Sequence, residues 1–181
     1  KIVVVDDNSP DGTAEVVKEY SERKKGVEVF VRPGKLGLGS AIVGGWKKLL
    51  ECAEVSWIAT MDADFSHDPR ELPRLLKRAE SADVVQGSRY VEGGSIKGWS
   101  IHRRIISWGA NLVVRLLYRT GLRDNTGNYP VYSRRVAEDL VKYTESRGYE
   151  WVVEALVIAK KLGYKIVEEP ITFVDRRAGR S

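Results

Sequence analysis

Two aspartates separated by one residue, Asp62-Ala63-Asp64, close the apolar run Trp57 to Met61. Carboxylates at this spacing can hold a hard divalent cation, directly or through water, and leave coordination positions open for a diphosphate. A cation held there would neutralise charge on a departing phosphate group. The pattern is short, and a turn whose aspartates cap the next helix accounts for it equally. A second acidic loop, Asp6-Asp7-Asn8-Ser9-Pro10-Asp11-Gly12-Thr13, follows the run Ile2 to Val5. Its carboxylates only accept hydrogen bonds, so they suit ribose hydroxyls or base N–H groups. The loop mimics the start of a calcium site, but Lys18 stands where that site needs a bidentate glutamate, and calcium is rejected. Asp11 or Thr13 can also cap the following helix.

Cations form the complementary set. Arg32-Pro33-Gly34-Lys35-Leu36-Gly37-Leu38-Gly39-Ser40 leads into a helical period, so backbone N–H groups with Lys35 or Arg32 can face phosphate. A tight turn that lets the helix pack closely explains the same glycines. The spacing is neither a Walker loop nor a dinucleotide fingerprint. Further arginines stand in Gly87-Ser88-Arg89-Tyr90, in His102-Arg103-Arg104 and in the closing Arg176-Arg177-Ala178-Gly179-Arg180-Ser181. The planar guanidinium fork matches phosphate with parallel hydrogen bonds, although a solvated basic face also accounts for surface arginines.

A scaffold must bring these groups together, and the hydrophobic pattern provides one. Ile2 to Val5, Val27 to Val31, Val55 to Thr60 and Val84 to Gln86 read as strands, and Gly12 to Glu22, Leu38 to Cys52 and Arg70 to Ala79 as helices. That alternation predicts an α/β fold with a mainly parallel central sheet flanked by helices. The polar loops follow the C-terminal ends of the strands, the edge where open α/β sheets bind ligands. Residues 101–119 form a long amphipathic helix with Ile101, Ile105, Trp108, Leu112 and Leu116 on one stripe. Packing on the sheet is the expected use of that stripe, and insertion into a membrane surface is the rival. A Gly- and Asn-rich loop, Gly121 to Asn128, precedes a strand near Val131, helices over Arg134 to Tyr143 and Trp151 to Leu162, and a small antiparallel, hairpin-like pair around Ile166 and Thr172.

The 181 residues, 43% of them hydrophobic, suit one globular domain. A net charge of +5 favours anionic partners. The basic residues are dispersed without a recognition motif, which argues against nucleic acid. Cys52 is the single cysteine, so neither an internal disulfide nor a zinc cluster built on several thiolates is available, and a reducing, cytoplasmic-side setting is the expectation. No apolar run approaches the roughly 18 residues of a membrane span. Membrane contact is therefore expected to be peripheral, or supplied by a segment or anchoring subunit outside this chain. The chain opens directly on a strand, as though trimmed.

Six segments in order, VVDDNSPDGT, RPGKLGLGSA, MDADFSHDP, GSRYVEGG, HRRIISWGAN and ITFVDRRAGRS, resemble family-2 glycosyltransferases of the GT-A (Rossmann-like) fold, specifically the dolichyl-phosphate mannose synthase group. The resemblance implies inverting transfer of mannose from GDP-mannose to dolichyl or polyprenyl phosphate, with Mg2+ or Mn2+ as cofactor, at the cytoplasmic face of a membrane. It makes Asp7 and Asp11 nucleotide-side contacts, and Asp62 and Asp64 the metal and diphosphate site with the Ala63 backbone near the ribose. Ser66 stands where some relatives place a glutamine metal ligand. Arg89, Arg103 or Arg104, and Arg176 or Arg177 match arginines that hold the lipid phosphate and the sugar diphosphate, and Lys35 lies in the loop that favours the mannose branch. Three rivals stay open: a UDP-glucose-dependent glucosyl branch, a haloacid-dehalogenase-like phosphatase built on Asp62-Ala63-Asp64-Phe65-Ser66, and a non-catalytic scaffold. Two departures are visible. The opening Pro-Thr-Tyr-Asn-Glu strand end is absent, and Asp124-Asn125-Thr126-Gly127-Asn128-Tyr129-Pro130 replaces the usual Thr-Ser-Gly-Phe-Arg pattern.

Overall fold

The computed structural model describes residues 1–175, in which short strands and helices alternate. The order is β1 (Ile2–Asp6), α1 (Thr13–Arg23), β2 (Val27–Val31), α2 (Leu38–Leu50), β3 (Trp57–Ala59), a 3-10 turn at Pro69–Glu71 and α3 (Leu72–Ala79). There follow β4 (Val84–Ser88), β5 (Ser95–Lys97), α4 (Ile101–Tyr118), β6 (Pro130–Ser133), α5 (Arg134–Tyr143), α6 (Trp151–Lys161), β7 (Ile166–Pro170) and β8 (Thr172–Val174). β3, β6, β4 and β7 make a four-stranded sheet in that order, while β1 pairs with β2 and β5 with β8. The β1–β2, β4–β7 and β5–β8 ladders are parallel, and β6 runs antiparallel to both of its neighbours.

The two-residue period of a strand shows how the four-stranded sheet buries both faces. Val84 pairs with Tyr132, and both enter a core with Trp46, Leu140, Trp151 and Leu156. Their neighbours Val85 and Val131 pair in turn and join Leu75, Ala79 and Tyr129 on the opposite face, under α3. The Trp46 ring meets Tyr132 at 4.9 Å and Trp151 at 5.2 Å, both edge to face, which locks α2 and α6 onto the sheet.

Two expectations are corrected. The antiparallel hairpin at the C-terminal end does not form: only Ile171 separates β7 from β8, too short a link for a reversal. The chain runs on, β7 adding in parallel to β4 and β8 in parallel to β5. Nor does α4 pack its apolar stripe on the sheet. Ile101, Ile105, Trp108 and Leu116 are 74, 61, 58 and 67% exposed, and Asn111 is the helix's buried residue. Polar contacts hold α4 instead. Tyr90 Oη donates to Ser107 Oγ at 2.7 Å, Asn111 Nδ2 donates to Thr126 Oγ1 at 3.1 Å, and the Asn125 N–H donates to Asn111 Oδ1.

Candidate active site

Met61 to Asp68 leave the tip of β3 and are folded by their own short-range hydrogen bonds. Asp64 Oδ1 accepts from the Ser66 N–H at 3.0 Å, and His67 Nδ1 accepts from the Asp62 N–H at 3.1 Å. Phe65 between them adopts φ 61° with its ring 82% exposed, a backbone conformation uncommon for a bulky residue. The loop is then tied to distant strands. Ser66 O accepts from the Val174 N–H at 3.1 Å, and the buried His67 ring packs against Tyr129 and Phe173. Burial lowers the His67 pKa, and Arg89 adds to the effect while Asp62, Asp64 and Asp124 oppose it. With Nδ1 accepting an amide proton, the ring is neutral and carries its own proton on Nε2, so its 3.7 Å approach to Asp62 Oδ2 is not an ion pair.

Asp62 and Asp64 therefore stand together on a pinned loop, with Ala63 between them. Among the described residues, no three His, Cys, Asp or Glu side chains converge into a metal cage. Two hard carboxylates, with the Asp62 side chain 38% exposed, suit a cation whose remaining positions are filled by phosphate oxygens and water. Ser66 is 2% exposed and its backbone is committed to Asp64 and β8. That placement makes it a support of the loop.

Across the site lies the loop after α4. Asp124 is fully buried and accepts from the Arg89 N–H at 2.9 Å, from Arg89 Nε at 2.7 Å and from Arg89 Nη2 at 2.7 Å. Thr126 Oγ1 accepts a further bond from the same guanidinium at 2.8 Å. Arg89 also faces the rings of Tyr90, Trp99 and Phe173 at 5.4 to 5.7 Å. Arg103 stacks on the other partner of this cluster, Trp99, at 4.1 Å and pairs with Asp175 at 2.9 Å. The two arginines thus share one indole. Arg104 instead donates to Ile96 O at 2.6 Å and braces β5 against the start of α4. Arg176 and Arg177 lie outside the described residues.

The first acidic loop and the glycine-rich loop meet each other. Arg32 is buried and donates to both carboxylate oxygens of Asp7, at 2.6 and 2.7 Å, and to Ser40 Oγ at 2.7 Å. Asp11 Oδ1 accepts from the N–H and the hydroxyl of Thr13, fastening the start of α1. The first N–H groups of α2 do not present themselves to a phosphate: Gly39 N donates to Gly148 O at 3.2 Å and Ser40 N to Arg147 O at 3.1 Å. A Cβ at Gly39 would lie 2.5 Å from Trp151 Cβ, so close helix packing accounts for that glycine. Lys35 is exposed at the loop's tip.

The sequence pattern of Glycosyl transferase family 2 matches residues 1–141, which carry both acidic loops, the glycine-rich loop, Arg89 and Arg103. The chain belongs to that family. Undecaprenyl-phosphate mannosyltransferase of Micrococcus luteus is 40% identical to this family-2 glycosyltransferase, over 99% of this chain and 74% of that protein. Polyprenol monophosphomannose synthase of Mycolicibacterium smegmatis is 39% identical, over 99% of this chain and 69% of that protein. The fold is GT-A. Glucosyl-3-phosphoglycerate synthase from Mycobacterium tuberculosis, solved with Mn2+, UDP and glucosyl-3-phosphoglycerate, superposes with a TM-score of 0.69 at 17% identity. That match covers 99% of this chain and 62% of the solved chain. Family membership removes the phosphatase reading of Asp62 to Ser66. His67, Asp124 and Asn128 carry no assigned role in the sequence reading; the signals available there are the histidine inside MDADFSHDP and the departure of Asp124 to Pro130 from the family pattern.

Proposed function

We propose that this family-2 glycosyltransferase moves mannose from GDP-mannose to a dolichyl or polyprenyl phosphate, inverting the anomeric centre, at the cytoplasmic face of a membrane. The observation that carries the reading is the pinned Asp62-Ala63-Asp64 loop at the tip of β3, linked through His67 and Phe173 to the aromatic cluster that Arg89 and Arg103 share. The choice of mannose and of a polyprenyl phosphate rests on relatives at 40 and 39% identity with those words in their names.

In this reading Asp62 and Asp64 hold Mg2+ or Mn2+, which when bound offsets charge on the departing diphosphate. Asp7, with Asp11 beside it, faces the nucleoside, and the Ala63 backbone approaches the ribose. The acceptor, a phosphate monoester with a second pKa of about 6, is largely dianionic at neutral pH and attacks without a general base. One of its oxygens bonds to the anomeric carbon while the bond from that carbon to the diphosphate oxygen breaks, and the electron pair leaves with GDP. Arg89 and Arg103 steady the incoming phosphate, and Asp124 fixes the direction of the Arg89 fork. Arg176 and Arg177 are assigned to the diphosphate by resemblance alone. Catalysis is chiefly positioning and charge stabilisation.

The exposed apolar face of α4 is proposed to rest in the membrane surface. The helix carries Arg103, Arg104 and Arg115 and no acidic residue, which suits anionic headgroups. A cleft of ≈ 290 Å³ lined by Tyr90, Trp108, Asn111, Leu112, Arg115 and Arg123 opens on this helix and offers a path for the first prenyl units.

The test is transfer from GDP-mannose, against UDP-glucose, to undecaprenyl phosphate with Mn2+ or Mg2+ present. GDP-mannose should be the working donor, and Asp64→Asn, which keeps an acceptor for the Ser66 N–H, should cut transfer about a hundredfold or more. Full activity in that variant would refute the acid-loop assignment, and turnover of UDP-glucose alone would refute the sugar.

A further inference from the structure

Asn128 stands in the segment that departs from the usual family pattern, and it is bonded to the acid loop. Its Nδ2 donates to Asp62 Oδ1 at 3.0 Å across 66 residues of sequence. A carboxylate oxygen only accepts, so the amide must turn its N–H₂ toward Asp62, and Asn128 Oδ1 is then directed elsewhere. That oxygen is buried and, among the described residues, has no hydrogen-bond donor. Leaving a buried carbonyl oxygen unsatisfied is costly. The fold keeps the amide in this orientation nonetheless, so the contact with Asp62 is the feature retained.

The backbone of the loop does not depend on that side chain. Gly127 O accepts from Gln86 Nε2 at 2.8 Å, Tyr129 O accepts from the Gly87 N–H at 3.2 Å, and Tyr129 Oη donates to Asp68 O at 3.0 Å. The segment is therefore anchored on both sides of Asn128. With its N–H on His67 and Oδ1 on Asn128, Asp62 is held from two directions. Among the described residues its Oδ2 receives no hydrogen bond. Metal-ligating carboxylates commonly have their other oxygen bonded by an outer partner that fixes their orientation.

We infer that Asn128 is a positioning residue for the cation site: its amide holds Asp62 Oδ1 and so sets the direction in which Oδ2 would be offered to a bound cation. The inference rests on the reading of Asp62 and Asp64 proposed above. It assigns Asn128 no contact with substrate. The bond would sharpen cation affinity with little net gain in fold stability, since the same orientation leaves Oδ1 without a donor among the described residues.

The contrast of signs gives the test. Asn128→Leu keeps the size of the side chain, removes the amide donor and removes the stranded oxygen. Calorimetric titration of Mn2+ into the chain with GDP present should show affinity weakened about 10- to 100-fold. Thermal melting without metal should be unchanged or raised, and transfer should recover at saturating Mn2+. Asn128→Ala should show the same loss of Mn2+ affinity. Mn2+ affinity within twofold of the parent in both variants would overturn the inference while leaving the acid-loop reading intact. A fall of melting temperature alongside affinity would reduce Asn128 to a structural role and overturn it too. Failure of the parent chain to bind Mn2+ with GDP would sink the acid-loop reading and this inference with it.

Discussion

Charge placement at single residues decides most of what the site can do. Arg89 and Asp124 form an ion pair with side chains 5 and 0% exposed, and the carboxylate accepts three bonds from one arginine. Removing one partner of such a pair leaves an uncompensated charge in a dry environment. Asp124→Ala should therefore lower stability by about 3–5 kcal/mol, read from denaturant unfolding, whereas truncating Arg70, the 88% exposed partner of Asp68, should change little. The acids at 62 and 64 were legible because their spacing is local and follows an apolar run. Asp124 and Asn128 were not, because their partners lie 35 and 66 residues away and no local pattern records such a meeting. Arg32 misled for the same reason: Asp7, its partner, is 25 residues distant, and a cation in a glycine-rich loop reads as a phosphate contact until that pairing is known.

Among the elements, periodicity carried the helices well; α5 spans Arg134–Tyr143 as expected, and α2 and α6 differ from expectation only at their C-terminal ends. β5 escaped notice because its three residues between glycines are too few to show a period. Helix α4 shows where periodicity stops informing. An apolar stripe describes a face that avoids water, and a protein core and a lipid surface satisfy it alike. Its exposed residues now give a direct test. Replacing Ile105 and Leu116 of that stripe, 61 and 67% exposed, by aspartate should leave thermal stability nearly unchanged, because both side chains are largely exposed. Binding to vesicles of mixed phosphatidylglycerol and phosphatidylcholine should fall steeply in a flotation assay. Unchanged flotation would exclude α4 as the membrane contact. The C-terminal strands were placed in the wrong partnership because apolar alternation identifies a strand without naming its neighbour.

At the scale of the whole molecule, the groups proposed to serve donor and acceptor are built on different parts of the chain and joined at few places. Asp62 and Asp64 hang from β3, Arg89 leaves β4, and Arg103 begins α4. β8 touches all three neighbourhoods. Val174 N donates to Ser66 O, the next residue Asp175 donates its N–H to Lys97 O and accepts from Arg103, and Phe173 lies against His67, Trp99 and Arg89. The alternation of elements predicts the layers of such a fold, but not that its last described strand would be the common tie.

That tie is only three residues long and pairs with a strand equally short, far apart in sequence. So small a latch can open without the four-stranded sheet unzipping, and each opening would loosen the Asp62–Asp64 loop and the Arg89–Arg103 cluster in the same event. Hydrogen–deuterium exchange at the amides of Val174 and Asp175 should accordingly be orders of magnitude faster than at Val84 and Val85, and should slow in concert when GDP and Mn2+ are added. Capture of a nucleotide would then be felt at the arginines proposed to hold the acceptor phosphate before any acceptor arrives.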